Sequence, residues 1–143
     1  LSVQTIGPDK VNQLRHVRFL RDHQGIDAHM QRHAEIVRPK FEAVLEHLAG
    51  GLDGIATWTQ PNGGYFISVE VPRGTAATVV QLAGEVGVKL TPAGSTFPYG
   101  KDPDDSNIRL APTYPTLKEI HQAMPVFVTA TKLAFARQSV TKK

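Results

Sequence analysis

Apolar positions in the first third of the chain recur at helical spacing. Val11, Leu14 and Val17 succeed one another at three-residue steps, with Phe19 and Leu20 extending the same side. Gly7-Pro8-Asp9 opens this helix, since proline suits a first turn and aspartate complements the positive end of the helix dipole, and Gly25 predicts its break. Ile26, Met30, His33, Val37, Phe41, Val44 and Leu48 then keep steps of three and four. That single sustained face predicts a helix over 26–48, bent or divided at Pro39 and ended by Gly50-Gly51.

The period then falls to two. Residues 55–59 read as a short strand, Pro61-Asn62-Gly63-Gly64 as a turn, and Tyr65-Phe66-Ile67-Ser68-Val69-Glu70-Val71 as the best strand of the chain. Thr75 is placed to cap a helix over 76–86 that buries Val79, Val80, Ala83 and Val86 and stops at Gly87. A strand over 88–90, a loop over 91–106 and a strand at Asn107-Ile108-Arg109-Leu110-Ala111 follow, the last ended by Pro112. Thr116 caps a final helix carrying Leu117, Ile120, Met124, Phe127, Thr131 and Ala134, bent at Pro125. The order α-α-β-β-α-β-β-α predicts an α+β fold, a small, mostly antiparallel sheet with helices packed on one face. A helical segment over 1–24 leads into a compact domain over 25–137, and 138–143 is expected to be a disordered tail.

Composition narrows the function classes. At 143 residues the chain is one core's worth of protein, with 41% apolar and 20% charged residues, ordinary for a globular domain. No apolar run reaches the length of a membrane span, and with no cysteine there is neither a disulfide framework nor thiol chemistry. The net charge of +3 is scattered: Arg15, Arg18, Arg21 and Arg32 are interrupted by Asp22 and Asp27, which argues against nucleic acid as a partner. No signal peptide is visible, so a cytoplasmic location is expected. The first residue is Leu1 rather than Met, so the expectation is either that something was removed or that this is a piece of a longer protein.

The chain carries little that looks catalytic. His29 and His33 share a helix face, but Gln31 and Arg32 stand where a zinc-protease motif needs its glutamate, so ordinary histidines and no metal are expected. Asp102-Pro103-Asp104-Asp105 starts like a calcium loop, yet Asn107 and Thr113 occupy the glycine and glutamate positions. No phosphate loop and no Gly-x-Ser-x-Gly elbow are present. Arg109 stands out: a guanidinium on a stiff strand can grip a carboxylate through two parallel hydrogen bonds. The alternative is an arginine that only pairs with an acid at a sheet edge.

Several stretches taken together resemble one family. Pro61-Asn62-Gly63-Gly64-Tyr65-Phe66, the following helix, Gly87-Val88, Pro92-Ala93-Gly94-Ser95-Thr96-Phe97 and Asn107-Ile108-Arg109-Leu110-Ala111 resemble the C-terminal small domain of class I (fold type I) pyridoxal-phosphate-dependent aminotransferases. The runs from Gly7 to His16 and from Phe97 to Asp105 are similar to an atypical bacterial subgroup of aspartate aminotransferases.

The resemblance implies that Arg109 binds the α-carboxylate of an amino-acid substrate, with Gly63, Gly64, Tyr65 and Phe66 at the strand entry beside the pocket, Ser95, Thr96 and Phe97 on a segment that closes over it, and Gly64, Tyr65 and Phe97 as further substrate-binding candidates. It implies a parent enzyme, a homodimer using pyridoxal 5'-phosphate, that moves an amino group between an amino acid (aspartate or glutamate) and a 2-oxo acid. The Schiff-base lysine is not found here. None of Lys10, Lys40, Lys89, Lys101, Lys118, Lys132, Lys142 and Lys143 has the Ser/Thr-rich setting of the family's lysine. The expectation is therefore a severed domain, catalytically inert, with no catalytic residue and no bound cofactor of its own, missing an N-terminal large domain onto which the first helix would dock. Two other readings stay open: a free-standing amino-acid-binding or regulatory domain, and a protein-interaction module.

Overall fold

The computed structural model describes residues 7–141. Helices α1 (Lys10–Leu20) and α2 (His23–Leu52) come first, followed by β1 (Thr57–Trp58), β2 (Ile67–Glu70), α3 (Ala76–Glu85), a short 3-10 turn at Pro98–Gly100, β3 (Asn107–Leu110) and α4 (Leu117–Thr141). The chain falls into two compact units, Leu1–Ile36 and Val37–Lys143. The division lies inside α2.

In the first unit Asp9 caps α1, its carboxylate accepting from the Asn12 N–H at 2.9 Å. The break comes at Arg21-Asp22, ahead of the expected Gly25: Arg21 takes a positive φ of 63° and the Asp22 carboxylate accepts from the Gly25 N–H at 2.8 Å. Gly25 lies within α2, and clearance explains it. A Cβ there would stand 1.8 Å from the Leu20 carbonyl oxygen. The part of the 1–24 segment before Gly7 lies outside the described residues.

In the second unit the sheet is antiparallel throughout, in the order β1-β2-β3. Ile67 pairs with Leu110, Ser68 with Arg109, Val69 with Ile108 and Glu70 with Asn107. Alternation therefore sends Ile67, Val69, Ile108 and Leu110 to one face, where they are buried with Leu48 and Leu52 of α2, Ala76 and Val79 of α3, and Ile120, Met124 and Phe127 of α4. The result is an α+β domain whose helices cover one face of the sheet, as the hydrophobic pattern predicted.

Four local expectations are corrected. Helix α2 runs through Gly50-Gly51 and ends at Leu52, because Leu52 is fully buried and needs the extra turn. Residues 88–90 form no strand; the Val88 N–H is used on the Ala83 carbonyl at the end of α3. Helix α3 ends at Glu85, leaving Val86 67% exposed. Thr75 does not cap α3 with its side chain. Its hydroxyl donates to the Pro72 carbonyl, and Asp105 serves instead: its carbonyl accepts from the Thr75 and Ala76 N–H groups and its carboxylate from that of Ala77 at 2.9 Å.

The last helix opens on a capping box. The Thr116 N–H donates to Glu119 Oε2 at 2.7 Å, and the Glu119 N–H donates back to Thr116 Oγ1 at 3.3 Å. Gln138 Nε2 donates to the Arg73 carbonyl at 2.5 Å, and α4 continues to Thr141. Residues 138–141 are thus helix rather than tail; Lys142 and Lys143 lie outside the described residues.

Candidate functional site

The face of the sheet turned away from the helices is polar. It carries Ser68 and Glu70 from β2 opposite Arg109 and Asn107 from β3. Asn107 is buried, and its amide makes three hydrogen bonds. Its Nδ2 donates to Ser68 Oγ at 2.8 Å and to Glu70 Oε1 at 2.5 Å, and its Oδ1 accepts from Thr96 Oγ1 at 2.7 Å. Ser106 Oγ donates to the second Glu70 oxygen at 2.8 Å. One oxygen of Asp102 accepts from the backbone N–H groups of both Ser106 and Asn107, each at 2.8 Å, and the other from that of Asp104 at 3.0 Å. Burial alone would raise the Asp102 carboxyl; the N–H groups of Asn107, Ser106, Asp104 and Asp105 outweigh it and hold the carboxyl below its ordinary value. The aspartates that resembled a calcium loop thus lock the turn before β3.

Arg109 stands two residues beyond this lattice. Its guanidinium carbon lies 4.5 Å from the centroid of the Phe66 ring, a cation–π arrangement that fixes the plane of the group. Its Nε is buried without a hydrogen-bond partner among the described residues, and among them it makes no ion pair with a carboxylate. A buried donor left unpaired is costly and rare, which sets Arg109 apart from the satisfied lattice beside it.

The other sequence candidates lie on the two segments bordering this face. Gly64, at a φ of +90°, and Tyr65, 53% exposed, lead into Phe66. Phe97, 37% exposed, precedes the 3-10 turn. Its loop folds tightly because Gly94 has no side chain: a Cβ there would sit 2.3 Å from the Gly100 carbonyl oxygen. Thr96 then ties the loop to Asn107. Sequence reasoning singled out Arg109 and placed Phe66 beside the pocket, but found neither their stacking nor the Ser68–Glu70–Asn107–Thr96 lattice. The signal was available in the alternation of β2 and β3, which places polar Ser68, Glu70, Asn107 and Arg109 on alternate positions.

The described residues do not form a site for an aldehyde cofactor held on a lysine. Lys40 is half-buried and donates to the Thr113 carbonyl at 2.8 Å, while Lys10, Lys89, Lys101, Lys118 and Lys132 are exposed. No described lysine is enclosed as such a nucleophile would need to be.

A profile of the family described as aspartate amino-transferase matches residues 1–143. An aspartate aminotransferase of Corynebacterium glutamicum is 48% identical over 136 residues, which cover 94% of this chain and 32% of that protein. The crystal structure of an aspartate transaminase from the same organism superposes with a TM-score of 0.91 at 47% identity, over 96% of this chain and 33% of the other. An α-aminoadipate aminotransferase from Thermus thermophilus, complexed with N-(5'-phosphopyridoxyl)-L-leucine, aligns with a TM-score of 0.68 at 25% identity, over 78% of this chain and 28% of the other. The chain spans about a third of the length of these relatives. Among the described residues no helix is long and apolar enough to cross a membrane. With the match running from end to end, the chain belongs to the aspartate amino-transferase family.

Proposed function

We propose that this chain is the substrate-carboxylate-binding domain of an aminotransferase, and that Arg109 holds the α-carboxylate of the amino acid and of the 2-oxo acid. The observation that carries this reading is the state of Arg109: stacked on Phe66, with a buried and unpartnered Nε and no acid of its own among the described residues. An arginine that only closed a sheet edge would have its carboxylate beside it. A planar fork held by a ring presents two parallel N–H groups, the arrangement a carboxylate takes best. Gly64, Tyr65 and Phe97 border the pocket, and the loop that carries Phe97 covers it.

The names of the Corynebacterium relatives support aspartate as an amino acid of the parent enzyme, and glutamate, its homologue longer by one methylene, is the other amino acid we assign to it. The phosphopyridoxyl adduct in the Thermus relative supports pyridoxal 5'-phosphate in the parent enzyme. The cofactor supplies the electron sink for amino-group transfer. Because the described residues of this chain do not fit it, its lysine belongs to the two-thirds of the relatives' length that this chain does not span. We assign the parent a cytoplasmic homodimer, with α1 docking on the rest of the enzyme through Val11, Leu14, Val17 and Phe19, all exposed here.

The test is made on the full-length enzyme. Arg109→Ala and Arg109→Lys should raise KM for both the amino acid and the oxo acid at least tenfold, with the lysine variant failing to rescue because it lacks the fork. Unchanged KM for both substrates would overturn the assignment.

A further inference from the structure

A second histidine pair lies outside the site described above. His47 Nε2 on α2 stands 3.1 Å from His121 Nδ1 on α4, with ring centroids 5.3 Å apart and ring planes inclined at 62°. The two rings project into a groove of about 520 Å³, lined also by Glu46, Gly50, Gly51, Pro125, Val128 and Thr129. We propose that His47 and His121 form a binding site for a divalent transition-metal ion of the zinc, nickel or copper class, which joins α2 to α4.

The argument is geometric. Imidazole nitrogens bind these ions at about 2.0–2.1 Å, so two of them on a tetrahedral ion stand roughly 3.3 Å apart, and on a square-planar or octahedral ion about 2.9 Å. The observed 3.1 Å lies between the two. With each ring pointing its nitrogen at a tetrahedral ion, the centroids would be separated by about 5.2 Å; at 5.3 Å the rings now point along the line joining their nitrogens, and each must turn by roughly 20° to converge on an ion. The ion therefore enters with small rotations of two side chains and no movement of either helix. It replaces the single proton the two nitrogens now share.

The rest of the groove fits this use. Neutral imidazole is the ligand these ions prefer. Gly50 and Gly51 line the groove without side chains, so water can complete the coordination. Close approach of the helices is built in beside the pair, because a Cβ on Gly51 would stand 2.6 Å from Val128 Cγ1. His29 and His33 are arranged differently: their rings stack at 12° with centroids 6.4 Å apart, and both belong to the first unit of the chain.

The experiment is a calorimetric titration of the 143-residue chain with zinc chloride and nickel chloride at neutral pH. Thermal unfolding at increasing metal concentration is followed alongside. An ion that binds only the folded chain raises the unfolding midpoint by mass action. One equivalent should bind; His47→Gln and His121→Gln should each weaken it at least tenfold and abolish the midpoint shift; the His29→Gln/His33→Gln double variant should leave both unchanged. Should a glutamine variant fail to fold, perturbation by the metal of the His47 and His121 imidazole signals in the NMR spectrum of the unmodified chain decides the matter. Binding by both single variants as tight as by the unmodified chain, loss confined to the His29/His33 variant, or no metal-dependent change in the His47 and His121 signals would each overturn the proposal.

Discussion

Thr96 Oγ1 donates a 2.7 Å hydrogen bond to Asn107 Oδ1, so the loop after Pro92 is tied to the strand that carries Arg109. Asn107 also binds Ser68 and Glu70 and is almost wholly enclosed. A buried polar group stripped of its partner costs about 1–3 kcal/mol. Thr96→Val should therefore destabilise the chain by about 1 kcal/mol and Asn107→Leu by about 2–3 kcal/mol, both read from urea midpoints. The double variant should cost less than the sum of the two, because they share one bond. Strict additivity would mean that the Thr96 bond contributes nothing.

Gly50 and Gly51 are neighbours in one helix with opposite prospects. A Cβ on Gly50 meets nothing within 4 Å, whereas one on Gly51 meets Val128 at 2.6 Å. Gly50→Ala should stabilise by roughly 0.5–1 kcal/mol through helix propensity. Gly51→Ala should destabilise by about 1–2 kcal/mol once overpacking is set against the same gain, and Val128→Ala should restore much of that loss. Thermal midpoints of the four chains test the pattern, and a stabilising Gly51→Ala would contradict it.

Asp105 caps α3 from another part of the chain and holds a φ of 44° to do so. Asp105→Ala should cost about 1–2 kcal/mol, since it loses the cap and places alanine in the left-handed region. Asp105→Asn should be near neutral, because asparagine keeps the acceptor and tolerates that region. Urea unfolding of the pair separates capping from charge.

Two carboxyls give the chain an acid limit. Asp102 is held low by the N–H donors described above, which outweigh its burial. Glu119 is held low first by the Thr116 N–H, then by the Thr116 hydroxyl, and further by the charge of Lys40. A group whose folded value is depressed contributes stability that is complete above its unfolded value, about 3.9–4.3, and is lost as pH falls through the folded one. Stability should be flat from neutrality to about pH 5 and decline below about pH 4. Asp102→Asn should be less stable than the parent chain at pH 7 and approach it at pH 3. A difference that stays constant across that range would assign the effect to something other than ionisation.

The larger features were legible in the hydrophobic pattern because they rest on periodicity. The helical face through Val44 and Leu48, the strand around Ile67 and Val69, and the alternation that isolates Arg109 are all regular repeats of apolar spacing. What escaped was decided by partners distant in sequence. Thr75 lost its capping role to Asp105, thirty positions on. Gly50-Gly51 read as a terminator because nothing nearby announces that Val128 needs the space, and 88–90 had the residues of a strand but spends its first N–H on α3. Phe66 was visible as part of a motif, but only the fold sets its ring under the guanidinium.

The register of β3 against β2 has a consequence for how errors in this domain would show themselves. Neighbouring residues on β3 face opposite ways, so a slip of one position would carry Arg109 inward among Leu48, Leu52 and Phe127 and push Ile108 out among Ser68, Glu70 and Thr96. A slip of one position therefore cannot misplace the arginine and leave the core sound. A folded copy of this domain is thereby one whose guanidinium is on the right face, and quality control that inspects only exposed apolar surface inspects the facing of Arg109 as well.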